Sequence, residues 1–272
     1  MSGVLTDLYA EQEQKAIFSI MIKAIFPEAK SYLLNTFVPE NKSLRMLKII
    51  EELKQGKPIQ YILGETEFYN CLIRLSPTTL IPRQETEELV DIIIKENAGY
   101  TGQIVDIGTG SGCIAITLAK NLPAASVFGT DFSAEAIDIA KRNAETNNVK
   151  IDFIYEDIFK PQKILSLNAG IIVSNPPYVR NSEKAFMHRN VLDYEPATAL
   201  FVDDSNPLIF YEAILEIAAK ILQLDGKIYF EINEALGSEM IDLLRKFDYS
   251  DIKLIKDING KDRFIKGTKN GI

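Results

Sequence analysis

The sequence predicts an α/β fold: a doubly wound, mostly parallel seven-stranded sheet ending in an antiparallel hairpin, preceded by a small all-α N-terminal domain. Three observations carry this. From residue 82 onward, apolar runs of strand length alternate with amphipathic helical stretches, the rhythm of successive strand–helix–strand units. The last two strand-type runs flank Asn259-Gly260, a pair that favours a tight hairpin turn. The first 58 residues instead show helical periodicity.

Taken in order, Ile17, Phe18, Ile20, Met21, Ala24 and Ile25 recur at three- and four-residue spacing, and Pro27 ends that helix or opens the next turn. A second helix starts near Ser43 as its N-cap, with Leu44, Leu47, Ile50 and Leu53 on one face, and Gly56 and Pro58 stop it. Residues 1–58 thus read as a separate helical domain. Residues 59–81 turn to β-type residues (Ile59, Tyr61, Ile62, Phe68, Tyr69, Leu72, Ile73, Leu75) broken by Gly64 and Asn70, a β-hairpin linker closing at Pro77. Residues 82–272 form the third part. Helices are expected over 85–96, 112–120, 135–143, 208–222 and 238–247. Strands are expected over 103–107, 126–130, 151–155, 170–174, 227–232, 252–258 and 263–267.

Composition narrows the function. Hydrophobic residues make up 46% and charged residues 25%, ordinary values for a globular chain. Thirty Lys and Arg face 38 Asp and Glu, a formal charge of −8. Direct nucleic-acid binding through phosphate charge is therefore not expected. Two cysteines, Cys71 and Cys113, and a single histidine, His188, provide neither a disulfide framework nor a zinc set, so no metal is expected. No apolar run is long enough to span a membrane, and no signal peptide is read at the N-terminus. The expected location is cytoplasmic and the expected state a monomer.

Two motifs carry chemistry. The first, Asp106-Ile107-Gly108-Thr109-Gly110-Ser111-Gly112, follows a strand and opens a helix. The dinucleotide fingerprint would need glycine where Cys113 stands, so the loop suits a ligand with no pyrophosphate in the cradle. Asp131, one strand–helix unit later, can accept the hydroxyl protons of a ribose. Read structurally, the same residues make a tight turn and a helix cap. The second motif, Asn175-Pro176-Pro177-Tyr178, ends a buried-type strand. Two prolines remove two backbone donors, so nearby carbonyls are left to accept hydrogen bonds from a ligand bearing an NH2 group. The other reading is a proline-stiffened loop.

Together these features resemble the class I S-adenosylmethionine-dependent methyltransferases, and more closely the release-factor glutamine methyltransferase family. The resemblance extends to Gln60-Tyr61-Ile62-Leu63-Gly64, Glu67-Phe68-Tyr69, Leu80-Ile81-Pro82-Arg83-Gln84-Glu85-Thr86-Glu87, Asp193-Tyr194-Glu195-Pro196, Ala199-Leu200-Phe201 and the terminal hairpin. Gln84 stands where the family usually has proline, and Asp203 where it usually has glycine. The resemblance implies methyl transfer from S-adenosylmethionine, with S-adenosylhomocysteine as product, to the glutamine of the Gly-Gly-Gln loop of class-1 peptide chain release factors. It implies cofactor contacts at Asp106, Gly108, Thr109, Gly110, Ser111, Gly112, Asp131, Asp157, Ile158 and Asn175. It places the substrate glutamine on Asn175, Pro176, Pro177 and Tyr178, with Asn175, Pro176 and Tyr178 catalytic, and gives residues 1–58 to substrate recognition. A base-amine methyltransferase acting on adenine in DNA or a base in RNA would use the same acceptors. A non-catalytic cofactor-binding module is the reading from another class. Cys113 reads as a small buried residue, His188 as a loop residue, Glu85, Glu87 and Glu88 as a solvated first helical turn, and the terminal lysines as a solvated hairpin edge.

Overall fold

The computed structural model describes Leu5, residues 8–27 and residues 39–271. Parts of the predicted 1–58 domain, including Met1-Ser2-Gly3 and Asp7, lie outside the described residues. The chain divides into two compact units, one from residues 1–65 with 187–194 and one from the remainder.

In the first unit, α1 (Glu11–Ile25) and α2 (Glu40–Lys54) are followed by α3 (Ile59–Leu63). Ile17, Met21, Ile25, Ile49, Leu53 and Ile59 form its core, and the Tyr9 hydroxyl donates to the Leu53 carbonyl at 2.8 Å. Three expectations are corrected here. The second helix begins at Glu40 after Pro39, so Ser43 lies inside it, its N–H bonded to the Pro39 carbonyl. Leu44 and Leu47 are 60% and 58% exposed, and the buried face is set by Ile49 and Leu53. Ile59–Leu63 is a helix rather than part of a hairpin, because Pro58 accepts from both Tyr61 and Ile62 and buries Ile59 in the helical core. A later helix, α7 as numbered below, also belongs to this unit, with the Tyr194 hydroxyl donating to the Gln55 carbonyl at 3.0 Å.

The second unit opens with a two-stranded sheet, β1 (Glu65–Phe68) and β2 (Cys71–Arg74). Tyr69 and Asn70 between them both have left-handed φ, 45° and 61°, the backbone of a tight primed turn. Then come α4 (Gln84–Glu96), β3 (Gln103–Ile107), α5 (Cys113–Asn121), β4 (Ser126–Asp131), α6 (Ala134–Thr146), β5 (Asp152–Tyr155) and β6 (Ala169–Ser174). A short pair, β7 (Val179–Arg180) with β8 (Phe201–Val202), brackets α7 (Arg189–Tyr194) in sequence. The chain ends with α8 (Ile209–Ile221), β9 (Leu222–Glu231), α9 (Gly237–Lys246), β10 (Tyr249–Lys256) and β11 (Asp262–Lys269).

Seven strands form one sheet in the order β10-β11-β9-β6-β3-β4-β5. It is parallel from β5 to β9 and antiparallel through β11 and β10, as the periodicity predicted. Strand β9 begins already at Leu222, directly after α8, where the sequence reading continued the helix. Buried Val105, Ile172, Ile228 and Phe230 build the core, and Tyr211 packs edge-on against Phe230 with ring centroids 5.2 Å apart. The order of connection reverses between β3 and β6, which run parallel with their carboxyl ends side by side. Open α/β sheets bind ligands at such a switch point.

Candidate active site

Both motifs sit at this switch point. In the glycine loop, the Gly108 and Thr109 N–H groups donate to the Thr130 carbonyl at 2.9 and 2.8 Å, and Gly112 N–H to the Thr109 carbonyl at 2.8 Å. Gly110 N–H donates to Asp131 Oδ2 at 2.9 Å. Four loop amides are therefore paired within the protein, in keeping with the absent dinucleotide fingerprint. Gly112 has φ +83°, and a Cβ there would lie 3.0 Å from Ala140 Cβ and 3.1 Å from Ile116 Cδ1, so only glycine fits without displacement.

Asp131 Oδ1 accepts the Ser133 N–H at 2.9 Å, and Ser133, not Asp131, caps α6 through its hydroxyl on Ala136 N–H. Asp131 thus ties the loop to the end of β4, and its half-buried oxygens keep lone pairs for further donors. Burial raises its pKa, against the N–H groups of Ser133 and Gly110 that lower it. Asp106 is fully buried on β3. Its Oδ2 accepts from Thr109 Oγ1 at 2.6 Å, whereas Oδ1 has no hydrogen-bond partner among the described residues. Burial pushes this carboxyl up to about 7.

Thr109 and Ser111 are buried and hold the loop's shape, with the Ser111 carbonyl taking the Asn143 amide at 2.9 Å. Asp157 is exposed beyond β5 and accepts the Phe159 N–H at 2.9 Å, while Ile158 is half-buried against the main core. Phe132, 56% exposed directly after Asp131, escaped the sequence reading. An aromatic following the acidic residue of a strand end is the signal that could have found it.

Strand β6 ends at Ser174, whose hydroxyl donates to the Ile107 carbonyl and locks the two motifs together. Beyond it, Pro176 is buried and Asn175, Pro177 and Tyr178 are half-buried. Asn175 Nδ2 donates to Thr86 Oγ1 at 3.2 Å, Thr86 Oγ1 donates to Glu231 Oε2 at 2.7 Å, and the Tyr178 hydroxyl donates to Glu231 Oε1 at 2.8 Å. The phenol pKa stands well above its ordinary value, through burial first and the Glu231 charge second. Asn175 Oδ1 and the Pro176 carbonyl accept no hydrogen bond from any described residue. Both residues line a small cavity of about 40 Å³ with Tyr178, Arg83, Glu231 and Leu80. Arg83 is fixed there by Glu195, with Nη2 to Oε1 at 2.6 Å, and the buried Glu195 also accepts the Ile81 N–H at 3.2 Å.

Thr86, Glu195 and Glu231 were not singled out from sequence. For Glu231 a signal existed, an acid within the apolar run Ile228-Tyr229-Phe230-Glu231-Ile232. The acidic turn of α4 is also more than a solvated cluster: Glu87 accepts the Tyr69 N–H at 2.9 Å and Glu88 accepts the Ile258 N–H at 3.1 Å. Cys113 is buried, as expected, with burial raising its thiol to about 12. His188 is exposed, its carbonyl starting α7. Of the terminal cations, Lys256, Lys261, Arg263 and Lys266 pair with acids and Lys269 with backbone carbonyls. The departures from the family pattern are locally satisfied: Gln84 opens α4, and Asp203 Oδ1 accepts the Ser205 N–H and hydroxyl at 2.9 and 2.6 Å. Among the described residues no group of three or more His, Cys, Asp and Glu could hold a metal ion, and no helix is long and apolar enough to cross a membrane.

Residues 84–194 match the methyltransferase small domain family. A release factor glutamine methyltransferase of Flavobacterium psychrophilum is 46% identical over 269 residues, covering 96% of this chain and 94% of the relative. One of the same name from Bacteroides thetaiotaomicron is 44% identical, covering 97% of this chain and 96% of the relative. Among solved structures, the hMettl16 catalytic domain in complex with the MAT2A 3′UTR hairpin 1 aligns with TM-score 0.59 at 16% identity, over 94% of this chain and 90% of that one. A methyltransferase from Pyrococcus furiosus aligns with TM-score 0.54 at 20% identity, over 86% of this chain and all of that one. At these identities the structural likeness speaks for the fold.

Proposed function

The chain belongs to the release factor glutamine methyltransferase family, and on that premise we propose that it methylates the side-chain amide nitrogen of the glutamine in the Gly-Gly-Gln loop of class-1 peptide chain release factors, using S-adenosylmethionine. One observation carries the reading. Asn175 Oδ1 and the Pro176 carbonyl are two acceptors without donors among the described residues, on the wall of one cavity, and a primary amide brings two N–H groups.

The glycine loop fits the cofactor. Asp106 Oδ1 is a buried acceptor lacking a partner among the described residues, suited to a donor on the ligand, and Asp131 retains lone pairs for ribose hydroxyls. Gly108 to Gly112 let the backbone approach closely, while Asp157, Ile158 and exposed Phe132 are available around the base. S-adenosylmethionine, when bound, supplies an electrophilic methyl on a positively charged sulfur that departs as a neutral thioether. No general acid is therefore required of the chain.

What the chain must do is orient a poor nucleophile. The amide lone pair is delocalised into its carbonyl. Asn175 Oδ1 and the Pro176 carbonyl, each taking one N–H, hold the nitrogen in place and favour the positive charge that builds on it during attack. Pro177 keeps the backbone rigid, and the Tyr178 ring, fixed by its hydroxyl on Glu231, forms a wall for the side chain. Positioning supplies the rate, in keeping with the lack of any catalytic histidine or cysteine in the set.

The helical N-terminal part, residues 1–58, is assigned to recognition of the protein substrate, a role supported by the exposed Leu44 and Leu47 on α2. A substrate of translation termination puts the reaction in the cytoplasm. The test is transfer of radiolabelled methyl to a release factor, to the same factor with its loop glutamine changed to alanine, and to duplex DNA. Label on the intact factor alone is expected. Label on DNA, or equally on both factors, would overturn the substrate assignment.

A further inference from the structure

Thr86 Oγ1 stands between two groups, 2.7 Å from Glu231 Oε2 and 3.2 Å from the Asn175 side-chain amide. A hydroxyl has one proton to give. The shorter, charge-assisted bond to the carboxylate takes it. Thr86 can then only accept from Asn175, so the amide must turn its NH2 toward Thr86 and its Oδ1 away. With Glu231 ionised, this follows from proton counting and does not depend on which way round the amide is drawn.

We infer that Glu231, acting through Thr86, is the positioning residue that holds Asn175 with its oxygen toward the substrate amide. The inference rests on the reading that Asn175 accepts an N–H of the substrate glutamine. It assigns work to a buried carboxylate that the methyl transfer itself does not use.

Three further observations support it. Glu231 is 1% exposed at the carboxyl end of β9, and Phe230 pairs in register with Ser174, which places Glu231 beside the start of the Asn175 motif. Its second oxygen receives the Tyr178 hydroxyl at 2.8 Å, so one carboxylate orients both polar side chains of the motif. Burial raises the Glu231 pKa, while the Thr86 and Tyr178 hydroxyls and the Arg263 charge each lower it and so work toward the acceptor-only, ionised form. Without the Thr86 hydroxyl the Asn175 amide loses the contact that tells its two ends apart.

The test compares Thr86→Val, which keeps the shape and removes the hydroxyl, with Thr86→Ser, which keeps the hydroxyl. With the release factor as substrate and saturating S-adenosylmethionine, T86V should lose up to about 100-fold in kcat, the scale of a catalytic group misplaced by about 1 Å. Its cofactor affinity should stay unchanged, and T86S should retain most of the wild-type kcat. If T86V does not fold, Thr86→Ala against T86S isolates the same hydroxyl. The Asn175 side-chain amide protons give a substrate-free readout by NMR: a single protected pair in wild type and T86S, and averaged, fast-exchanging signals without the hydroxyl. Wild-type kcat in T86V, equal losses in T86V and T86S, or unchanged amide signals would each overturn the positioning role. No label on the release factor from the wild-type enzyme would refute the functional reading instead, and the amide signals would still decide whether Thr86 orients Asn175.

Discussion

Replacing Asn175 by alanine separates catalysis from folding more sharply than any other single change in the site. The side chain makes one hydrogen bond, to Thr86 at 3.2 Å, and is half-buried. Its loss should cost about 1 kcal/mol of stability, and for a chain of this size that lowers Tm by only about 2–4 °C. In the reaction the same side chain supplies one of two acceptors. Removing one preorganised hydrogen-bonding group of an active site costs about 10²- to 10³-fold in kcat, or roughly 2.7–4 kcal/mol. The Pro176 carbonyl is backbone and stays, so a residue of activity should persist. The assay is the initial rate of radiolabelled methyl transfer to a release factor at saturating S-adenosylmethionine, which removes any contribution of Asn175 to cofactor affinity, together with a thermal melt. A rate within threefold of wild type in a folded Asn175→Ala protein would refute the acceptor-pair reasoning.

Two further outcomes follow from the glycine loop. Asp106, held at about 7 by burial, takes a donor from the ligand on Oδ1 most strongly when ionised. Binding selects the ionised form, so cofactor affinity should be full above about pH 7 and fall as pH drops below it. Calorimetry between pH 5.5 and 8 should show this slope in wild type and lose it in Asp106→Asn, and a flat wild-type profile would contradict it. Gly112→Ala places a Cβ 3.0 Å from Ala140 Cβ at φ +83°. The left-handed backbone alone costs about 1–2 kcal/mol, so the melt should drop by several degrees, and an unchanged Tm would remove the steric account of this glycine.

Much of the molecule was legible before any coordinates. The order of the seven sheet strands and the long helices from Gln84 to Lys269, the closing hairpin at Asn259-Gly260 and the two strand-end motifs follow from local periodicity and turn chemistry, whereas the short β7, α7 and β8 were not read. The errors have local causes too. Ser43 has the chemistry of an N-cap, but Pro39 supplies an earlier start, and the β-type residues of Ile59–Leu63 become helical because the helical core needs Ile59. Leu44 and Leu47 follow the helical period, yet whether an apolar stripe is buried depends on what packs against it.

The sequence by itself determined which residues could do chemistry: the glycines, Asp106, Asp131 and the Asn175–Tyr178 motif are recognisable by type and spacing alone. Only the tertiary structure decided how they are held. Thr86 opens a helix, Glu231 ends a strand 145 residues later in the chain, and their 2.7 Å hydrogen bond exists because α4 and β9 meet beside β6. Arg83 and Glu195 are brought together in the same way across 112 residues. Hydrogen bonds of this separation leave no periodic trace in a sequence, because folding and not chain spacing fixes their distance.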